Sequence, residues 1–120
     1  MSIRLSKPVF IENSKIPILL SWFSPININA ITLGPVVISR DKMSDITKNH
    51  ETIHWQQYIE TGILGFLFLY LAYWLVGLVK YRSGSIAYYQ IPFEQEAYSN
   101  QKNSYYVISR KRWGWRKYKI

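Results

Sequence analysis

The feature that most constrains this chain is an uncharged apolar run at its centre, residues 62–79 (GILGFLFLYLAYWLVGLV). Eighteen consecutive positions carry no Asp, Glu, Lys or Arg. As a helix the run would be about 27 Å long, slightly short of the ~30 Å hydrocarbon layer of a bilayer. A chain of 120 residues can scarcely bury so much apolar surface by itself. We therefore expect the run to contact a membrane or a larger protein partner.

Three arrangements of this run are open. It could form a re-entrant helical hairpin, broken near Gly65 or between Leu71 and Gly77, because lipid tolerates only helical backbone. It could lie as a helix along a membrane surface or another protein. It could also be a long core helix whose end doubles back.

A second informative segment precedes the run and is predicted to be helical. A polar stretch ends at Ser44 and Asp45, either of which is a suitable N-cap. No proline follows until Pro92. We therefore predict a helix over residues 45–60.

This helix carries residues 50–54 (HETIH), which include both histidines of the chain. Positions four apart share one helix face, so His50 and His54 can point at one metal ion. Glu51 is then placed to take a proton from a metal-activated water. The H-E-x-x-H pattern thus indicates a zinc-dependent hydrolase. The alternative is a pair of ordinary surface histidines on an amphipathic helix.

A catalytic zinc site needs a third protein ligand beside an open position. The chain has no cysteine and no other histidine, so this ligand must be a carboxylate. Downstream of the motif the available carboxylates are Glu60, Glu94 and Glu96. Glu60 lies on the same predicted helix and points away, which leaves Glu94 and Glu96 after Pro92. Such a site excludes a simple transmembrane span, since one crossing would separate the histidines from these glutamates.

HETIH together with residues 94–97 (EQEA) resembles the gluzincins, zinc metallopeptidases in which a second helix supplies a glutamate ligand. Their smallest members often carry Glu-x-x-Ala-Asp on that helix. The resemblance implies Glu94 as third zinc ligand, with Glu96 in reserve, and places Tyr98 where the family has an aspartate that steadies a histidine. It also implies that the strand over residues 31–39 binds peptide substrates in extended form.

The expected fold class is α+β, in a single domain over residues 1–120. Residues 8–40 are predicted to form short strands and turns, with apolar runs at 17–23, ended by Ser24-Pro25, and at 30–39. Gly34-Pro35 interrupts the second run, so we expect an edge strand or a bulged hairpin rather than a central strand. The remaining elements are a zincin-type active-site helix (45–60), an apolar helix or helical hairpin (62–79), a second helix carrying Glu94 (92–108) and a basic aromatic tail (109–120).

The tail alternates basic and aromatic side chains, and the whole chain has a formal net charge of +8. Both features suit an anionic membrane surface, although a solvated terminus is equally open. Contact with nucleic acid is not expected, because no binding module surrounds the tail. Residues 1–8 lack the features of a cleavable secretory signal, so we expect membrane association at the cytoplasmic face.

These features lead to a main hypothesis and two alternatives. The first is a membrane-associated zinc metallopeptidase that acts on peptides, with Glu51 as base and a tyrosine donor for the oxyanion: Tyr88, Tyr89, Tyr98 or Tyr105. The second is a non-catalytic membrane or assembly subunit whose helices pack against larger partners. A third is a small integral membrane protein with one true span, which would exclude the zinc site.

Overall fold

The computed structural model describes residues 7–24 and 26–120 and shows a mixed α+β architecture, as predicted. A three-stranded sheet contains β1 (Val9–Ile11), β2 (Ala30–Leu33) and β3 (Val36–Ser39) in the order β1-β3-β2. β3 pairs parallel with β1 and antiparallel with β2.

The hairpin predicted around Gly34 and Pro35 is present between β2 and β3. Gly34 has φ +62°, a conformation that glycine adopts at little cost and that tight hairpin loops favour. The expectation of a non-central position is correct for β2 but wrong for β3, which is the central strand. The reason is that Pro35 lies in the loop and removes no hydrogen bond from the ladder. Its carbonyl instead accepts a 2.7 Å bond from the amide of Val9.

The apolar run at residues 17–23 was expected in the strand region but is mostly helical. It belongs to α1 (Ile16–Ser21), with Pro17 in the first turn, where a missing amide hydrogen costs nothing. Short apolar runs fit a strand and a helix equally well, so periodicity does not separate them. Pro25 and residues 1–6, on which the turn and signal expectations partly rest, lie outside the described residues.

Helix α2 (Asp45–Thr61) has nearly the predicted bounds. The Ser44 side chain accepts a hydrogen bond from the amide of Thr47 and caps the helix, as expected. The helix ends at Gly62, which has φ +79°.

Helix α3 (Ile63–Tyr81) is continuous. Of the three open arrangements, the re-entrant hairpin broken near Gly65 or between Leu71 and Gly77 is therefore not formed. Among the described residues it is the one helix long and apolar enough to cross a membrane. It is not a buried core helix, since only Phe66 and Gly77 are buried along it.

The chain then turns back along α3. Arg82 ends α3 in a left-handed conformation, and Ser83 caps α4 (Gly84–Gln90). Gly77 permits close packing here, because a Cβ atom at that position would lie 3.0 Å from the Cβ of Ala87. Helix α5 (Pro92–Asn100) follows and packs against α2. The long apolar helix therefore does not separate the two halves of the candidate site.

The second helix was predicted over residues 92–108 and is shorter than that. α5 ends at Asn100, and a separate short helix, α6 (Tyr106–Ser109), follows. Between them the side chain of Asn103 accepts a hydrogen bond from the amide of Tyr105. Asparagine and serine favour such turns over helix interiors, which explains the early end.

The tail is folded onto the protein, and all of its basic side chains except that of Arg110 are exposed. A 3₁₀ helix (Gly114–Lys117) packs against α5. It buries Trp115, whose ring centroid lies 4.7 Å from that of Phe93. The hydrophobic core cluster to which it belongs consists of Tyr58, Phe66, Ile91, Phe93 and Trp115.

Candidate metal centre

The side chains of His50, His54 and Glu94 meet between α2 and α5. The two Nε2 atoms of the histidines are 3.2 Å apart. Oε1 of Glu94 lies 3.2 Å from Nε2 of His50 and 3.1 Å from Nε2 of His54. All three residues are buried. The segment after Pro92 thus returns to the helix that bears both imidazoles.

The geometry of this triangle fits a metal ion. Tetrahedral zinc with bonds of 2.0–2.1 Å holds its ligand atoms roughly 3.3 Å apart, and the observed edges are 3.1–3.2 Å. Two imidazoles and one carboxylate also form a donor set that zinc accepts, with a fourth position left for water. These residues could therefore hold one divalent ion.

The hydrogen bonds around His54 determine which of its nitrogens faces the other two candidate ligands. The amide nitrogen of Gln57 donates to the carbonyl of Phe93 at 3.1 Å and to Oε1 of Glu96 at 2.9 Å. Oε1 of Gln57 therefore faces Nδ1 of His54, at 2.8 Å. Because a carbonyl oxygen can only accept, Nδ1 carries the hydrogen and Nε2 is left to bind a cation.

His50 has a corresponding partner on the other side of the site. Oε1 of Gln101 lies 2.8 Å from Nδ1 of His50, and the backbone carbonyl of Gln101 accepts a bond from the Asn49 side chain. The family resemblance placed Tyr98 in this steadying role. In the structure Tyr98 instead packs its ring edge-on against His50, with centroids 4.4 Å apart.

Glu94 and His54 also determine each other's charge. Burial lowers the pKa of His54, but the charge of Glu94 and its hydrogen bond outweigh burial and raise that pKa to about 9. Burial would raise the pKa of Glu94, yet the two histidines hold it well below its usual range. In the absence of metal, a protonated His54 therefore neutralises the Glu94 carboxylate.

Glu51 extends from α2 towards strand β2 of the β2–β3 hairpin. Its Oε2 accepts a 2.6 Å hydrogen bond from the hydroxyl of Thr32 on β2. The residue is buried, and it lines the same cleft as the three candidate ligands. Thr32 thus orients the predicted general base.

Glu96, the reserve ligand, is not one of the three candidate ligands, although it accepts the hydrogen bond from Gln57 described above. Its carboxylate accepts two hydrogen bonds from Arg110, at 2.7 and 3.0 Å, and one from Tyr106. Arg110 also binds both carboxylate oxygens of Glu60. Arg110 is therefore buried between two glutamates, and the contact predicted between the basic tail and a membrane surface would not involve it.

A cleft of about 690 Å³ opens beside the three candidate ligands. Tyr88, Tyr89 and Tyr98 line it, and the hydroxyls of Tyr88 and Tyr98 are 2.9 Å apart. Tyr105 does not line the cleft and is 75 % exposed. The structure thus removes Tyr105 from the candidate oxyanion donors and keeps the other three.

Four site residues were not predicted from the sequence: Thr32, Gln57, Gln101 and Tyr70, whose hydroxyl donates a hydrogen bond to Oε2 of Glu94. Gln57 had a local signal, because it lies three positions after His54 and so on a neighbouring part of the helix face. The other three come from distant elements, and no spacing in the sequence connects them to the motif.

Comparisons with protein-family models, with curated proteins and with solved structures give no match. The function of this chain is therefore inferred from the geometry of the site.

Proposed function

We propose that this chain is a membrane-associated zinc peptidase with a minimal zincin-type site. The observation that carries the proposal is the triangle of His50, His54 and Glu94, with Glu51 beside it in an open cleft. The ion itself would polarise the substrate carbonyl and acidify water.

The protein's own groups supply the remaining chemistry. Glu51, held by Thr32, accepts a proton from the attacking water and later gives it to the leaving amine. The peptide C–N bond breaks, the carbonyl carbon gains the hydroxyl, and the amine gains the proton. Burial raises the pKa of Tyr98 to about 12, so its hydroxyl stays protonated and can donate to the developing oxyanion.

The sheet offers a place for an extended substrate. β2 is an edge strand, paired with β3 on one side only among the described elements. Its residues Ala30–Leu33 line the cleft beside Glu51. A peptide that adds to this edge would pass the candidate metal site with its backbone hydrogen-bonded.

Membrane association is supported by α3. Its length and composition suit a bilayer, and most of its outward side chains are apolar and exposed. We propose that the protein associates with the cytoplasmic face of the membrane. The same exposed surface would also serve a non-catalytic assembly subunit, so the test must concern catalysis.

Hydrolysis of a random peptide library by zinc-loaded Glu51→Gln protein provides that test. We expect a loss of about 100-fold or more relative to wild type, with zinc still bound. Asp45→Asn is the matched control, since Asp45 is an exposed carboxylate on the same helix outside the cleft. Equal hydrolysis by Glu51→Gln and wild type, or none by either, would contradict the proposal.

A further inference from the structure

The outward face of α3 is a continuous apolar stripe. Leu64, Phe68 and Val79 are 82 %, 73 % and 80 % exposed. Leu67, Leu71, Leu75 and Val76 are also exposed and continue the stripe along the helix. Nineteen residues of helix extend about 28 Å. Monomeric soluble proteins rarely leave such a surface open to water.

This stripe reaches the mouth of the cleft. Leu67 and Leu71 belong to the stripe and also line the cleft, next to Tyr70. Phe23, just after α1, lines the cleft as well and is 86 % exposed, and its neighbour Trp22 is 74 % exposed. The entrance is therefore bordered by apolar side chains from two separate elements.

The charge of the stretch of chain that begins with α3 indicates what could cover the stripe. Residues 62–120, all of which the structure describes, contain nine Lys or Arg and two acidic residues. Both acidic residues, Glu94 and Glu96, are buried, as is Arg110. The other eight basic residues are exposed: Lys80, Arg82, Lys102, Lys111, Arg112, Arg116, Lys117 and Lys119.

An apolar stripe that ends at the exposed Lys80 and Arg82, in a stretch of chain with no exposed Asp or Glu side chain, complements an anionic lipid surface. A soluble protein partner of mixed charge would not need this one-sided distribution. With α3 in contact with lipid, the cleft entrance at Leu67 and Leu71 would lie at the lipid boundary. A polypeptide could then reach Glu51 and the three candidate ligands from the membrane side.

We infer that the substrates of this site are membrane-anchored polypeptides, cut in an extended segment that leaves an anionic bilayer beside the anchor. This inference rests on the proposed peptidase function and adds to it the class of substrate. When α3 contacts lipid, the protein and an anchored substrate are confined to the same bilayer surface, which raises the local concentration of the substrate segment at the cleft. The local concentration of a freely dissolved peptide is not raised in this way.

The test compares one random peptide library in two forms, free and N-palmitoylated, both mixed with vesicles of phosphatidylcholine and phosphatidylglycerol. We expect the zinc-loaded protein to float with the vesicles and to cut the anchored form faster by about tenfold or more. Replacing phosphatidylglycerol by phosphatidylcholine should reduce that ratio. The triple variant Leu64→Ser, Phe68→Ser and Val79→Ser should bring it close to one.

A matched control replaces three exposed apolar residues outside α3 and the cleft, Val9, Ile11 and Ile108, by serine. It should keep the wild-type ratio. Equal cutting of free and anchored peptide, or failure to float, would overturn the inference while leaving the peptidase function intact. If the triple variant instead changes only self-association in gel filtration, a second copy covers the stripe and the inference is wrong. Absence of all hydrolysis, with Glu51→Gln identical to wild type, would refute the peptidase function itself.

Discussion

The hydroxyl of Tyr70 donates a 2.6 Å hydrogen bond to Oε2 of Glu94, while Oε1 of the same carboxylate faces His50 and His54. The apolar helix α3 therefore holds one of the three candidate ligands directly. This contact orients the carboxylate so that one oxygen is available to a cation and the other is engaged.

Tyr70→Phe tests that arrangement. The variant keeps the ring but leaves Oε2 of Glu94 without its donor, so the carboxylate can rotate. Loss of a hydrogen-bond partner of a metal ligand typically weakens metal binding by about 10- to 100-fold, and we expect the zinc affinity of Tyr70→Phe to fall by about that factor. Competition with a chromogenic chelator measures it, and Tyr81→Phe on the same helix is the control. Unchanged affinity in Tyr70→Phe would show that the hydrogen bond has no role in metal binding.

Gln57→Met removes the carbonyl that fixes the tautomer of His54 at similar side-chain volume. We again expect about 10- to 100-fold weaker zinc binding, because the imidazole loses its orientation. Gln95→Met is the matched control, since the Gln95 amide donates to the backbone carbonyls of Gln90 and Lys119 and not to the site. If both variants bind zinc alike in the same chelator assay, Gln57 does not position His54.

Arg110→Met should destabilise the fold. It leaves Glu60 and Glu96 as like charges without their shared cation, and breaking such a buried pair costs about 3–5 kcal/mol. Urea unfolding followed by tryptophan fluorescence measures the change. Lys111→Met, at the exposed neighbouring position, should stay within about 0.5 kcal/mol of wild type. Equal midpoints for the two variants would contradict this role of Arg110.

Metal binding should release a proton at neutral pH. In the metal-free protein the pKa of His54 is raised from 6.5 to about 9, so the ring is protonated at pH 7 and must lose a proton before Nε2 can bind zinc. The zinc affinity should therefore rise with pH up to about 9 and fall as pH decreases. Calorimetry in two buffers of different ionisation enthalpy counts the protons. Identical heats in both buffers would mean that His54 binds no proton at pH 7.

In metal-free protein the same ion pair contributes to stability over a defined pH range. The raised pKa of His54 favours the folded state fully below pH 6.5, and this contribution is lost as pH rises through about 9. The depressed pKa of Glu94 acts in the opposite direction. Its contribution is present above the usual value of 4.5 and is lost at lower pH. The urea concentration at the unfolding midpoint should therefore be highest between pH 4.5 and pH 6.5. A midpoint that rises from pH 7 to pH 9 would contradict the pairing of His54 with Glu94.

The part of the structure that the sequence predicts best is α2 with its two histidines. The N-cap, the absence of helix-breaking residues and the four-residue spacing of the two histidines are all local features of the sequence. Such features predict a helix without knowledge of the tertiary structure. The hairpin at Gly34-Pro35 was found for the same reason. By contrast, α1 was missed because a six-residue apolar segment has no diagnostic period.

The arrangement of the distant parts could not be read from the sequence. The resemblance selected Glu94, but the turn at Arg82 and Ser83 that brings α5 back depends on the packing of α3 against α4. The burial of Arg110 depends on Glu60, fifty residues away along the chain. Nothing local distinguishes this arginine from its exposed neighbours in the basic tail.

The most direct test of the account is the metal content of the purified protein. After incubation with zinc and removal of the free ion, inductively coupled plasma mass spectrometry should find one equivalent of zinc per chain in wild type and in Glu51→Gln. It should find much less in His54→Ala and Glu94→Ala, with circular dichroism confirming that the variants are folded. Wild-type protein without zinc, or zinc retained equally by His54→Ala, would contradict the claim that these three side chains hold one metal ion.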